Sequence, residues 1–248
     1  MFKPKLKTPF SDEAKALMQE GRIFENNVRQ NFLPAIDVSK EMGPRYAAYA
    51  RYTESCLKQT ADVTVFEAGL QHENVLVLVD ILKRVGNTYE LYEIKRSKQL
   101  TDTILNDAAF QYVVAKLVLQ TEVKSFVILR VDESDHQIID VTSEVRALAT
   151  SIETEMSIQL KLLAKGKEPI IATGPHCDTP YPCDFKGYCQ AVLFWAIGCA
   201  SSPTNHSVLA PRFPSPVSGI SSPVSGIRLP SPASRLRYPS SVSLYPKP

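Results

Sequence analysis

Residues 62–96 contain three successive segments with the composition of β-strands, and few folds accommodate such a run. The segments DVTVFEAGL, NVLVLVDIL and TYELYEIKR are rich in β-branched and aromatic residues and are separated by short polar connections. Neighbouring strands with such short connections pair in antiparallel order, because a parallel pair needs a long crossover. We therefore predict an antiparallel meander.

Helical patterns lie on both sides of this meander. Ser11 and Thr101 are predicted N-caps, and Gly166 is the predicted end of a later helix. SFVILRVD predicts a fourth strand and IIDVT a short fifth one. The order of elements indicates an α/β fold in which helices flank a mixed β-sheet. The predicted helices cover residues 11–32, 45–60, 101–120 and 142–165.

Acidic residues of the meander are spaced so that they converge. Gly86 and Asn87 form a common two-residue hairpin loop, which sets Asp80 directly opposite Glu93. Lys95 follows Glu93 by two residues and therefore projects from the same face of the strand. All three side chains are expected to share one patch.

This pairing predicts a divalent cation. Opposed carboxylates repel each other, and a cation between Asp80 and Glu93 reverses the sign of that interaction. Mg²⁺ or Mn²⁺ suits such a site, where Lys95 would orient or deprotonate a water or offset phosphoryl charge. Glu67 becomes a third acid beside Asp80 if the chain turns about residues 73–74. The alternative interpretation is a solvated strand face.

The helix that follows the meander adds two polar side chains. Asp107 and Gln111 are four residues apart and share a helix face. Gln111 is a candidate to hold a phosphate, a base or a water. Asp107 is interpreted as a polar helix edge.

Together these segments resemble the PD-(D/E)xK nuclease superfamily, in its RecB-like branch that includes the CRISPR-associated iron–sulfur exonucleases. The matching segments are GRIFE, VFEAGL, VLVDIL, YEIKRS and DAAFQYVV. The resemblance covers roughly residues 10–190 and is especially close to a bacterial group known mainly as an uncharacterised domain. It implies a restriction-endonuclease-like core that hydrolyses DNA phosphodiesters.

Site roles follow from this resemblance. It implies that Asp80 and Glu93 are metal ligands, that Lys95 is the catalytic lysine and that Gln111 belongs to the supporting helix. Glu25 corresponds to the motif of the first helix, where many relatives carry a histidine, and is a further candidate metal ligand.

Three cysteines follow the predicted core. Cys177, Cys183 and Cys189 have the spacing C-x5-C-x5-C among Pro and Gly residues, which predicts metal ligation, with free or buried thiols as the alternative. The triplet resembles the C-terminal cysteines of the iron–sulfur nucleases, which implies a [4Fe-4S] cluster. A Cys₃His zinc site is the other possibility. The fourth ligand is left open among none, Cys56, Cys199 and His176.

Composition divides the chain into three parts. We predict a nuclease-like core in residues 1–170, a cysteine-rich metal-binding segment in 171–199 and a disordered tail in 200–248. The tail is rich in Ser and Pro, lacks acidic residues and repeats SPVSGI, so it cannot bury enough apolar surface to fold. It is interpreted as a basic arm that touches nucleic acid or as the product of a shifted reading frame.

Charge and hydropathy limit the partners. The formal net charge of +2 originates in the tail, so DNA must meet a local basic patch of a slightly acidic body. The N-terminus lacks the apolar core of a secretory signal, and the longest apolar run, AVLFWAIGCA, is shorter than the ~20 residues of a membrane span. We predict a cytoplasmic protein without membrane association.

The leading functional prediction is a Mg²⁺- or Mn²⁺-dependent DNA nuclease whose cysteine cluster staples the fold. The alternative is a catalytically inactive nuclease-fold module that binds DNA or protein. A weaker third interpretation is a regulatory protein stapled by zinc.

Overall fold

The computed structural model describes residues 6–132, 135–166, 172–179, 182–198 and 242–244. These residues form two compact units. The first contains the described residues between 9 and 166 together with 242–244, and the second contains residues 6–8 and those between 172 and 198. Within the described ranges, no helix combines the length and the apolar character needed to cross a bilayer.

A mixed β-sheet with flanking helices makes up the first unit. Its helices are α1 Asp12–Arg29, α2 Val38–Met42, α3 Tyr46–Gln59, α4 Asp102–Leu119 and α5 Thr142–Ala164. Its strands are β1 Ile36–Asp37, β2 Asp62–His72, β3 Val75–Val85, β4 Thr88–Lys95, β5 Glu122–Arg130, β6 His136–Asp140 and β7 Val242–Leu244.

The strands lie in the order β1-β2-β3-β4-β5-β6, and β7 pairs with β3. The pairs β1–β2 and β4–β5 are parallel, and the other pairs are antiparallel. The predicted α/β fold, with a mixed sheet, an antiparallel meander and flanking helices, is therefore confirmed. This architecture is consistent with a restriction-endonuclease-like core.

Two tight reversals fix the register of the meander. At the second, Gly86 has a φ of 58°, which favours glycine, and Val85 pairs with Thr88 across the predicted two-residue loop. At the first, Glu73 takes a φ of 50°, and the side-chain amide of Gln71 donates to its carbonyl oxygen at 3.0 Å. Both predicted reversals are confirmed.

Local signals also set the helix ends. The hydroxyl of Ser11 accepts from the backbone N–H of Ala14 at 3.2 Å, and that of Thr101 accepts from the N–H of Ile104 at 3.3 Å. Each cap satisfies a helix N–H that has no partner within the helix. Gly166, with a φ of 63°, follows the end of α5 as predicted.

Some elements were not predicted. The short β1 and α2 carry too few residues for a periodic pattern. Strand β7 falls in the predicted disordered tail, so that prediction is wrong for residues 242–244, whose backbone pairs with residues 75–77 of β3. The rest of the predicted tail lies outside the described residues.

Buried side chains form two clusters. The larger one takes residues from α3, α4, α5 and the sheet, and the smaller one takes Phe24 and Val28 from α1. Val127 and Ile128 are adjacent in β5 but belong to different clusters. Because side chains alternate along a strand, the two clusters lie on opposite faces of the sheet.

Helix α3 approaches β2 very closely at Gly69. A Cβ atom on Gly69 would lie 2.6 Å from Cβ of Tyr49 and 2.8 Å from the backbone nitrogen of Ala50. The N–H of Gly69 donates to the buried hydroxyl of Thr53 at 2.9 Å. Only glycine permits this contact, which anchors α3 on the sheet.

Candidate functional site

In β2 and β3, the alternation of side chains between the two faces of the sheet is broken at neighbouring positions. In β3, Val79 and Leu82 both pack in the larger cluster, although strict alternation puts residues three apart on opposite faces. In β2, Val65 and Ala68 behave in the same way, and Glu67 between them has a φ of 52°. A positive φ is uncommon outside glycine and is found frequently at functional positions.

The ladder between β2 and β3 keeps one register across this distortion. The pair Phe66–Ile81 precedes it, and pairing resumes in the same register directly afterwards. Glu67 and Asp80 therefore stand opposite each other. This is the register predicted from a turn about residues 73–74.

At Asp80 the strands β3 and β4 part. Their ladder follows the predicted register and ends at the pair Ile81–Tyr92, immediately before Asp80 and Glu93. The backbone N–H of Ile94 donates to Oδ2 of Asp80 at 2.7 Å. A side-chain carboxylate therefore replaces the main-chain acceptor at the end of the ladder.

Three carboxylates form a compact group at this point, which we call the acidic triad: Glu25, Glu67 and Asp80. One oxygen of each lies within 4.8 Å of an oxygen of the other two. The triad joins α1, β2 and β3, so residues far apart in the sequence contribute to it. Nη2 of Arg29 contacts Oε1 of Glu25 and lies 2.6 Å from Oε1 of Glu67.

The triad carries more negative than positive charge. Burial raises the pKa of Asp80 well above its ordinary value, and the charges of Glu93 and Glu25 raise it further. Burial also raises the pKa of Glu25 to about 7; Arg29 opposes this rise, and Glu67 adds to it. One guanidinium does not balance three carboxylates, so a further cation would stabilise the group.

A second group of polar contacts surrounds Glu93, which is only 4% exposed. Its Oε1 lies 2.6 Å from Nζ of Lys95, and its Oε2 accepts from Nε2 of Gln111 at 2.5 Å. Nζ of Lys95 also lies 3.0 Å from Oδ2 of Asp107. Glu93 of β4 and Asp107 of α4 thus both pair with Lys95.

These contacts hold Lys95 in its charged form. Burial lowers the pKa of Lys95, but the carboxylates of Glu93 and Asp107 raise it by more, so it lies above its ordinary value. Burial raises the pKa of Asp107, and Lys95 opposes that rise. In this arrangement Lys95 is suited to neutralise charge rather than to accept a proton.

Sequence reasoning brought together most of this site but missed two of its members. Arg29 was not predicted. It lies four residues after Glu25 in α1, on the helix face that buries Phe24 and Val28. The interpretation of Asp107 as a polar helix edge is wrong, because its carboxylate is mostly buried against Lys95. The four-residue spacing of Asp107 and Gln111 was the sequence feature that could have indicated that both side chains face the site.

The cysteine triplet belongs to the second unit. Cys177 is buried, and Cys183 and Cys189 are partly buried. The N–H of Cys183 donates to the carbonyl oxygen of Cys177 at 2.7 Å. Among the described residues, the three sulfur atoms do not form a group as compact as the acidic triad. This unit also contains helix α6, Lys186–Gly198, which was not predicted.

The candidates for a fourth cysteine-site ligand differ in their surroundings. Cys56 lies in α3 and packs in the larger core cluster, where burial raises the pKa of its thiol. This position gives Cys56 the role of a small apolar core residue. His176 lies in a short 3₁₀ turn of the second unit beside Cys177. Cys199 lies outside the described residues.

No protein-family model matches the chain, and no curated protein matches it either. Function is therefore inferred from the contacts of the residues themselves.

Without a bound divalent cation, the free energy of unfolding is expected to fall as the pH rises from about 4.5 to about 7. The pKa of Glu25 is about 7 in the fold against an ordinary 4.5. A raised carboxyl pKa means that the folded state binds the proton more tightly, so the stabilisation is complete at low pH and is lost as the pH rises through the folded value. The loss is at most about 3 kcal/mol.

Urea denaturation in the presence of EDTA, repeated across this pH interval, measures the effect. The Glu25→Gln variant should lose this part of the pH dependence because its amide does not titrate. Identical pH dependence in the variant and the wild-type protein would contradict the assignment to Glu25.

Proposed function

We propose that this chain is a metal-dependent nuclease of the PD-(D/E)xK type that hydrolyses phosphodiester bonds in DNA. The observation that carries the proposal is that Asp80, where β3 and β4 part, accepts from the backbone N–H of Ile94, the residue between Glu93 and Lys95. Asp80 supplies a carboxylate at the end of the ladder, and Lys95 is paired with Glu93. Gln111 fixes the other oxygen of Glu93 from α4.

The donor set suits Mg²⁺ or Mn²⁺. The acidic triad offers three carboxylate oxygens within 4.8 Å of one another, and oxygen ligands are what these ions prefer. The raised pKa of Asp80 and of Glu25 is a second sign that positive charge is lacking there. Asp80, Glu67 and Glu25 would hold the cation, with Glu93 beside them. Such a cation would supply charge neutralisation at the phosphodiester and favour ionisation of the attacking water.

The remaining side chains would neutralise charge on the substrate and hold other side chains of the site in position. Lys95, held by two carboxylates, would place its ammonium against a phosphoryl oxygen and offset the negative charge that develops there. Gln111 would keep the carboxylate of Glu93 in one orientation, because it is buried and bonded to Oε2. Both contributions depend on the packing of α4 against the sheet.

The cysteine triplet enters the proposal as a ligand set for a [4Fe-4S] cluster or for zinc. Its support is the spacing of Cys177, Cys183 and Cys189 and the short backbone bond that brings Cys183 back to Cys177. Iron and sulfide content distinguish the cluster from zinc.

A second candidate function is the catalytically inactive module that binds DNA or protein. The contacts of Arg29 favour it, because its guanidinium already pairs with two members of the acidic triad. Both oxygens of Glu93 are likewise bonded within the protein. These internal contacts reduce the need for a metal ion at the site.

Purified protein is expected to cleave end-labelled single- or double-stranded DNA when Mn²⁺ or Mg²⁺ is added and to stop when EDTA removes the ion. Calorimetry should detect Mn²⁺ binding that the Asp80→Asn variant weakens at least about tenfold, because an amide contributes no charge to the site. Asparagine can still accept from the N–H of Ile94, so the fold is preserved.

The matched control is Asp12→Asn, which removes the same charge from a carboxylate that is 93% exposed in α1. This variant should bind Mn²⁺ and cleave as the wild-type protein does. Absence of both cleavage and Asp80-dependent binding in the wild-type protein would refute the nuclease and favour the inactive module.

A further inference from the structure

Arg29 contacts the same carboxylates that would hold a metal ion. We infer that Arg29 is a built-in counter-cation of the acidic triad: it occupies Glu25 and Glu67 when no divalent cation is bound, competes with that cation, and so sets the affinity of the site. This inference rests on the proposed metal site and concerns its regulation.

Competition follows from the contacts. A single guanidinium nitrogen, Nη2, contacts one carboxylate oxygen of Glu25 and one of Glu67, the latter at 2.6 Å. A cation held by the triad draws on these two carboxylates together with Asp80. Bonds from Arg29 and bonds to the cation therefore use the same negative charges. An arginine remains protonated at every accessible pH, so the competition is permanent.

The environment of Arg29 is unusual for a purely structural residue. Only 7% of the residue is exposed, yet within the part of the chain that the structure describes its Nε has no hydrogen-bond partner. Buried donors are nearly always satisfied, and an exception calls for an explanation. The explanation we infer is that the guanidinium must also occupy a second position after a cation has bound the carboxylates.

Phe66 gives the guanidinium a contact that does not depend on the carboxylates. The guanidinium carbon of Arg29 lies 5.1 Å from the centroid of the Phe66 ring, within the range of a cation–π interaction. This contact can persist when the carboxylates bind a divalent ion instead of Arg29. The group would then stay charged beside the site instead of being expelled from it.

Titration with Mn²⁺ alone, followed by calorimetry, tests the inference. The Arg29→Met variant should bind Mn²⁺ at least about tenfold more tightly than the wild-type protein, because the ion no longer displaces a positive charge from the triad. The matched control, Arg22→Met, removes an exposed arginine from the same helix and should leave the affinity unchanged. The Asp80→Asn variant identifies which binding belongs to the triad.

A second readout covers the folding of the variant. Arg29→Met leaves three carboxylates without a counter-charge, so its thermal midpoint should be lowered in EDTA and should rise with Mn²⁺ by more than that of the wild-type protein. Arg29→Lys keeps the charge but loses the planar fork, and its Mn²⁺ affinity should lie between those of the wild-type protein and Arg29→Met. If Arg29→Met does not fold in EDTA, the comparison of Arg29→Lys with the wild-type protein decides.

The outcomes separate this inference from the proposed function. Asp80-dependent binding in the wild-type protein that is equal or weaker in the Arg29 variants overturns the counter-cation role and leaves the metal site standing. Asp80-dependent binding that appears only in the Arg29 variants supports the role and favours the inactive module. Absence of Asp80-dependent binding in every protein overturns the metal site itself, and the inference with it.

Discussion

The proposed nuclease function predicts that the Lys95→Met variant cleaves DNA about 10³-fold more slowly than the wild-type protein while it still binds Mn²⁺. Methionine has a similar length but no charge, so it fills the space without offsetting charge at the phosphoryl group. The acidic triad keeps its ligand atoms, because Lys95 contacts Glu93 and Asp107 rather than the triad. A loss of rate without a loss of metal binding would separate the lysine from the metal ligands.

Stability has to be followed in the same experiment. Without Lys95, the buried carboxylates of Glu93 and Asp107 lose their cation, and breaking a buried pair costs roughly 3–5 kcal/mol. Cleavage is therefore compared well below the thermal midpoint of the variant. Lys83→Met is the matched control, because Lys83 is half-exposed in β3 and its Nζ lies 3.8 Å from Oε2 of Glu90. Cleavage by Lys95→Met at nearly the wild-type rate would exclude a catalytic lysine here.

The Gly69→Ala variant is expected to lose about 3 kcal/mol of unfolding free energy. The added methyl group meets backbone atoms of α3 at 2.8 Å, and a backbone cannot rotate away as a side chain can. Either the helix moves off the sheet or β2 bends, and both weaken the bond from the N–H of Gly69 to Thr53. Urea denaturation measures the loss.

Gly21→Ala is the matched control for this substitution. Gly21 lies inside α1, and among the described residues no atom other than its chain neighbours and the adjacent backbone of the helix lies within 4 Å of the position that a Cβ would take. Alanine there should stabilise the protein by up to about 1 kcal/mol, because glycine is the poorer helix former. If Gly69→Ala were no more destabilising than Gly21→Ala, the close approach of α3 to β2 would be refuted.

The meander was predictable because its signals are local. Gly86 supplies a left-handed turn residue, and a composition rich in β-branched and aromatic residues marks each strand of eight to eleven residues. Ser11 and Thr101 are caps whose partners lie three residues away. By contrast, β1 has two residues and exists because it pairs in parallel with residues 65–66, a contact that no local pattern encodes.

The candidate site likewise contains residues that local rules predict and residues whose positions depend on tertiary packing. Asp80, Glu93 and Lys95 could be brought together from strand period and hairpin register, both of which are short-range rules. The register also places Glu67 opposite Asp80, but the complete triad could not be derived in this way, because it depends on how Glu25 of α1 packs against the sheet and on the positive φ of Glu67. Nothing in a hydrophobic pattern indicates that a glutamate takes a left-handed conformation in mid-strand.

The substitution of a carboxylate for a main-chain acceptor at the end of the β3–β4 ladder makes the backbone sensitive to the chemistry of the site. The amide proton of Ile94 is bonded to the side chain of Asp80, so its nuclear magnetic resonance frequency and its rate of deuterium exchange respond to any group that draws on that carboxylate. A spectroscopist can thus monitor occupancy of the site through a neighbouring peptide group, in solution and without a chromophore.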